Sequence, residues 1–480
     1  MRDLFIKNAI VLTMNSSYGV IENGYVKVQG STIVDIGPMS KFKKTSEDDV
    51  KVIDAKGKLV MPGLINVHGH VADILLRGGL SQNRSLYDWL LNVLYPGIEA
   101  CTTEDVRIGT TLYVDEAIRS GITTIVDNED FPSPKNHKAM IHIFKRVGIR
   151  TIFGRMFSDN PPPATLLQHY QAMAAKSPEV KHVEDYLIQD TKHALRETEN
   201  LIKEFNSHDD LIKVWPSPFN PAWCTKEGLL ASLDLANRYN TGITIHLAET
   251  PIESKPLGMS STEYLNSIKF LNPKLLAAHC VWLDDKDIRL MKKNGVKVAH
   301  QPSANMYLAS GFAPIPKMLL AGITVGLGTD DANDNDSVNI MNEMRAAALT
   351  HKANMHDASC ITSDQVLEMA TIMGARAVGM GSQIGSLEVR KKADIIILNL
   401  DAPHLRPIHH IPSVLTYQAR GNEIETVIVN GKILMENGKL TWLNENEEAT
   451  LLDKAQQSSS DVKDRAHLEM PQKMLMHESH

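Results

Sequence analysis

Cysteine is scarce in this chain. The four present, Cys101, Cys224, Cys280 and Cys360, are far apart and form no Cys-x-x-Cys pair. Neither a disulfide framework nor a structural zinc knuckle is expected, and a reducing cytoplasm fits. A basic surplus is missing too: 50 Lys and Arg stand against 57 Asp and Glu, for a formal net charge of −7. That balance offers no broad cationic surface to phosphate backbones or anionic lipid, so nucleic acid and membrane partners are not expected. No apolar run approaches the ~18 residues that span a bilayer. The opening MRDLFIKNAIVLTMN alternates, with Asp3 and Lys7 where a signal peptide would have its apolar core. Repeats and low-complexity tracts are also absent.

What remains is a 480-residue chain of 43% apolar and 22% charged composition, which suits one large α/β domain with a smaller companion. Residues 1–57 read as short strands with turn punctuation, and residues 384–443 repeat that character, with Asn430-Gly431 as a type I′ hairpin turn. The two segments are expected to pair into a small β-sandwich, leaving residues 58–383 as an inserted domain. That middle alternates strand-like and helix-like segments, as βα repeats do. Eight candidate strands fall at 59–67, 123–128, 150–157, 211–218, 243–249, 275–282, 296–303 and 324–330. Eight closes a (β/α)8 barrel, whose chemistry sits at the C-terminal ends of its strands. Residues 444–480 read as a polar tail, mobile or packed on a partner.

The chemistry-bearing residues cluster at those strand ends. His68 and His70 flank Gly69 after the first strand, and residues i and i+2 of a strand share a face, so both imidazoles can reach one metal. His246 ends the fifth strand, His279 the sixth and Asp330 the eighth. Satisfied core histidines would need that coincidence explained separately at each strand. Imidazoles with one carboxylate suit a single borderline divalent ion, Zn2+ or Fe2+, rather than Mg2+ or Ca2+. At the end of the fourth strand stands SPFNPAW (217–223), with no lysine to bridge a second ion. Glu249, three residues after His246, is placed to move a proton to a leaving nitrogen, or is a solvated loop carboxylate.

The elements PGLINVHGH (62–70), HLAE (246–249), AHC (278–280) and GTDD (328–331) resemble the amidohydrolase superfamily, in its mononuclear deaminase and chlorohydrolase branch. More narrowly, residues 74–97, SGITTIVDN (120–128) and GTDDANDNDSVN (328–339) are similar to the bacterial s-triazine hydrolases, the melamine deaminases and atrazine chlorohydrolases. The resemblance implies that His68, His70, His246 and Asp330 ligate the metal. It makes His279 a fifth ligand or the catalytic base, and Glu249 the proton shuttle. It also implies a homo-oligomer acting on a small nitrogen-rich molecule.

Within that group, Asp331, Leu86 and Leu94 follow the deaminase side rather than the dechlorinating one. Asp73 and Asp334 depart from both. Together with Glu249 and Asp331 they would crowd four carboxyls around one pocket, which favours a cationic N–C(=N)–N unit such as a biguanide, beside melamine-like aminotriazines. The alternative is that Asp73 and Asp334 turn outward or cap helices. Leu86, Tyr87, Trp89, Met156, Trp215 and Asn305 are further candidates for the pocket wall, the aromatics equally for barrel packing, and His300 and Tyr307 are weaker ones. His409 and His410 read as structural. The expectation is therefore a metal-dependent hydrolytic deaminase. Its rivals are a triazine chlorohydrolase and a non-catalytic scaffold of the same fold.

Overall fold

Residues 2–17, 19–42, 50–129, 133–161, 188–206 and 211–470 are described by the computed structural model. Five strands lead the chain: β1 (Asp3–Leu12), β2 (Val20–Gln29), β3 (Thr32–Pro38), β4 (Val50–Asp54) and β5 (Lys58–Pro62). Nine strands follow through the middle: β6 (Leu64–His70), β7 (Ile122–Glu129), β8 (Arg150–Phe157), β9 (Ile212–Pro218), β10 (Ile243–Leu247), β11 (Leu275–His279), β12 (Lys297–His300), β13 (Val325–Leu327) and β14 (Asp330–Asp331). Four close it: β15 (Ile395–Asn399), β16 (Ile424–Val429), β17 (Lys432–Glu436) and β18 (Lys439–Leu440).

The two terminal groups share one hydrogen-bonded sheet, in the order β18-β17-β16-β15-β5-β1-β2-β3, with β4 on β1. The first half of β1 pairs with β4 and its second half with β5. Alternate residues of the sheet, among them Leu4, Ile6, Val26, Val28, Val60, Ile395 and Ile397, gather in one apolar cluster, as the period of two along a strand requires. Asn430 and Gly431 turn β16 into β17 with φ of 50° and 79°, the doubly positive pair of a type I′ turn.

The first candidate strand, 59–67, is in fact two. β5 belongs to the terminal sheet through antiparallel pairing with β15, so that unit runs to Pro62 rather than 57. The break is Gly63, where a Cβ would lie 2.1 Å from the Thr123 side chain. The eighth candidate strand is also split: β13 pairs with β12, and β14 pairs in parallel with β6. The middle strands thus form two parallel sheets, β14-β6-β7-β8-β9 and β10-β11-β12-β13. β9 runs beside β10, and the backbone N–H of His246 donates to the Phe219 carbonyl at 2.9 Å. Every residue of β6, β7 and β8 is buried, as in parallel strands covered on both faces.

Residues Glu445–Arg465, expected as polar tail, form a 21-residue helix. Leu451, Ala455, Ser458 and Val462 supply its buried stripe at the spacing of one helix face. Its partner is the helix Thr103–Arg119, through Arg465 to Asp105 at 2.6 Å and Arg119 to Glu448 at 2.6 Å. Residues 471–480 of that tail lie outside the described residues. No described helix is long and apolar enough to cross a membrane.

Candidate metal centre and active site

The ends of β6, β10, β11 and β14 converge. His68 Nε2 stands 3.1 Å from Asp330 Oδ1 and His70 Nε2 3.7 Å from the same oxygen. His246 Nε2 lies 3.4 Å from His70 Nε2, and His279 Nδ1 lies 3.6 Å from Asp330 Oδ2. All five residues are buried. Donors placed ~2.0–2.1 Å from a tetrahedral ion are about 3.3 Å from one another, close to the spacings found. The Nε2 atoms of His68 and His279 are buried with no hydrogen-bond partner among the described residues, a costly condition unless another ligand satisfies them. His246 Nδ1–H donates to the Phe219 carbonyl at 3.1 Å, which turns the Nε2 lone pair toward the centre. His68, His70, His246 and Asp330 therefore fit one divalent ion.

Protonation agrees. Burial pushes His68 down to about 4. Burial and then the flanking imidazoles hold His246 well below its usual value, so both stay neutral, the ligating form. Burial opposes ionisation of Asp330, yet His279, His68 and His70 hold its carboxyl well below the usual range.

The local backbone is shaped for this convergence. His279 and Asp330 have φ of 67° and 64°, a conformation that costs non-glycine residues ~1–3 kcal/mol and collects at functional sites. The His279 N–H is held by Gln301 Oε1 at 2.9 Å, and its Nδ1 lies 3.1 Å from Asn305 Oδ1. Asn66 braces two of the ligand-bearing strands: its Oδ1 accepts from the N–H of Thr329 at 3.1 Å and of His68 at 3.3 Å. Asn128 sits 2.8 Å from His68 Nδ1.

Glu249 Oε2 is 3.7 Å from His279 Nε2, and Ser310 donates to Oε1 at 3.4 Å. Burial, and then the charge of Asp330, pushes Glu249 up to about 8, a range suited to giving and taking protons near neutrality. The loop that carries it is fixed by Glu253, whose carboxylate accepts from the N–H groups of Ala248, Glu249 and Thr250 at 2.8, 2.8 and 3.1 Å.

A small cavity opens over the donors. His70, His246, His279, Asp330 and Glu249 line it, with Asp331 and Asp334 as an acidic wall and Leu86, Trp89, Leu90, Leu94 and Phe219 as an apolar one. Burial pushes both wall acids well above the usual carboxylate range, Asp331 next through Asp73 and Asp334 next through Asp330. Neither points outward: both are almost fully buried.

Other sequence candidates fall elsewhere. Asp73 does not line that cavity, yet it is buried beside it, with a donor atom within 4.8 Å of those of His70 and Asp331. Met156 and Asn305 are not part of that wall either; Asn305 holds His279 instead. Trp215 packs on Gly242 toward the opposite end of its strand, and Tyr87 reaches Thr250 at 3.3 Å. His300 faces His351, Nε2 to Nε2, at 3.0 Å, and Tyr307 donates to Asp336 at 3.3 Å. His410 is exposed and lies beside Ser413 and Asp364. Sequence reasoning missed Asn66, Asn128, Glu253 and Asn333. Two carried a signal: Asn66 as a polar residue inside the apolar run LINV, and Glu253 as the end of a Thr-x-x-Glu capping-box pattern begun by Thr250.

Residues 59–434 match the family model described as Amidohydrolase family. A 5'-deoxyadenosine deaminase of Methanosarcina barkeri is 37% identical over 472 residues, covering 97% of this chain and 100% of that protein. An S-triazine hydrolase of Gordonia rubripertincta is 42% identical over 327 residues, 68% of each. Among solved structures, an adenosine deaminase from Xanthomonas campestris with bound zinc superposes with a TM-score of 0.84 at 26% identity, covering 96% of this chain and 99% of that one.

Proposed function

The chain belongs to the amidohydrolase family, and on that premise we propose that it is a hydrolytic deaminase releasing ammonia from the amidine-like carbon of a small nitrogen-rich molecule, an aminotriazine or a biguanide-type compound. We read the two parallel sheets as arcs of one closed (β/α)8 barrel, with the active site at the C-terminal ends of its strands. The observation that carries the reading is the position of Glu249 over the same cavity as the donor cluster, 3.7 Å from His279.

His68, His70, His246 and Asp330 would hold one divalent ion, Zn2+ or Fe2+ by the softness of the donors. Such an ion lowers the pKa of a water toward ~7 and so supplies a nucleophile at neutral pH. Asp330 and His279 stand where the proton of the attacking water is released. Glu249 gives a proton to the nitrogen beside the attacked carbon, the proton released from the water passes to the amino group, and the tetrahedral carbon then expels ammonia. Asp331 and Asp334 face the amino groups of the substrate, and a cationic N–C(=N)–N unit offers them paired hydrogen bonds.

Dechlorination of a triazine is the rival reading, supported by the triazine hydrolase relative. A departing chloride takes no proton, which would leave Asp331 without a task. A non-catalytic scaffold has no need of five converging donors. Ammonia and chloride assayed in parallel on melamine, biguanide and atrazine separate the three. Ammonia from the amines supports the deaminase, chloride from atrazine alone supports the rival, and neither product from a metal-loaded protein supports the scaffold.

A further inference from the structure

One segment roofs the cavity. Leu86, Trp89, Leu90 and Leu94 all face it, and Leu90–Leu94 is a π-helical turn. Such turns are rare and concentrate at functional sites. Here the wider repeat brings Trp89 and Leu94, five residues apart, toward one face.

Trp89 does not rest there by packing alone. Its Nε1–H donates to Asn333 Oδ1 at 2.6 Å, and the Ser81 hydroxyl donates to the same oxygen at 3.3 Å. With its oxygen committed to the roof, Asn333 turns its Nδ2 toward Asp331 Oδ1, 3.3 Å away. Trp89, Asn333 and Asp331 are each no more than 2% exposed. In so dry a setting a lost hydrogen bond leaves a buried partner unsatisfied. The amide therefore ties the apolar roof to the acidic wall and keeps the roof down. Little free space is left beneath the roof, less than the usual small-molecule site holds.

We propose that the Trp89–Asn333 contact is a specificity latch, which limits the pocket to a single planar amino ring or an acyclic amidine and shuts out a purine nucleoside with its ribose. The inference rests on the deaminase reading above and names the substrate class of that site. Asn333 is a positioning residue in it, acting through Trp89 and Asp331.

The test compares ammonia release from melamine, biguanide and adenosine by the metal-replete wild type, N333A, W89F and the double variant. The wild type is expected to turn over melamine or biguanide and to discriminate against adenosine. In N333A and in W89F that preference falls about tenfold or more, the scale of a lost pocket contact, chiefly through a lower KM for adenosine. The double variant loses no more than either single one, because both break the same contact. A wild type that accepts adenosine as readily as melamine overturns the latch, as does a preference unmoved in the variants. Thermal melting identifies an N333A that fails to fold, and W89F, which keeps an aromatic ring, then carries the test. Absence of ammonia from every substrate defeats the deaminase reading instead. Calorimetric titration with melamine and with adenosine then decides the latch: adenosine bound only by the variants supports it, and adenosine bound equally by the wild type, or neither molecule bound at all, overturns it.

Discussion

His70 and His246 are 176 positions apart in sequence, yet their Nε2 atoms stand 3.4 Å from each other. Both rings are buried, and the Nδ1 proton of His246 is committed to the Phe219 carbonyl. His70 and His246 are among the residues that would hold a divalent ion, which would account for that approach. H246A is expected to lose bound metal and ammonia release together, with metal content per subunit falling at least tenfold on the scale of a lost ligand or its supporting partner.

Glu249 stands 3.7 Å from His279 and is not one of the clustered donors, so its removal should spare the ion. E249Q is expected to keep its metal and its melting temperature while kcat drops by about 10^2 to 10^4, the range of a lost proton-transfer group. Metal analysis beside steady-state kinetics checks both halves.

Burial pushes Glu343 up from 4.5 to about 7, although Ser303 and Asn335 donate to it. Between those values the unfolded chain ionises this carboxyl and the folded protein does not. The folded state then binds more protons, so the contribution of Glu343 to stability is full below 4.5 and is lost as pH rises toward 7. E343Q should flatten that decline, by up to ~1.4 kcal/mol per pH unit for one proton. Urea unfolding at several pH values between 5 and 8 reads the slope.

Arg150 opens β8 and forms two parallel bonds to Asp394, at 2.9 and 3.0 Å, just before β15. Asp394 also accepts the Asn430 N–H at 2.7 Å, so the pair fastens the middle strands to the terminal sheet. R150A leaves a buried carboxylate without its cation, a change that costs ~3–5 kcal/mol. A lower melting temperature with unchanged metal content per folded subunit is the expected outcome.

Much of the site could be read in advance because its ligands occupy one kind of place. A histidine or aspartate at the end of an apolar strand marks itself, as His68, His246, His279 and Asp330 did. The residues that support them do not. Asn333 acts on positions whose proximity depends on loop geometry, and nothing in its neighbours distinguishes it from a solvated polar residue. Trp215 was ambiguous because a strand residue's face is periodic while the end of the sheet toward which its side chain leans is not. The break at Gly63 depends on Thr123, 60 positions away in the sequence numbering, and hydropathy runs through it uninterrupted. The helix Glu445–Arg465 hides because half of its buried stripe is small or polar, Ala455 and Ser458 among four residues.

The most direct test of the whole account is a titration. Metal-free protein is reconstituted with increasing zinc, and ammonia release from melamine or biguanide is measured at each step. A rate that rises in proportion to bound zinc and levels off at one ion per subunit is the predicted result. Ammonia release without any metal, or a rate that keeps rising to two ions, would contradict the single-ion deaminase described here.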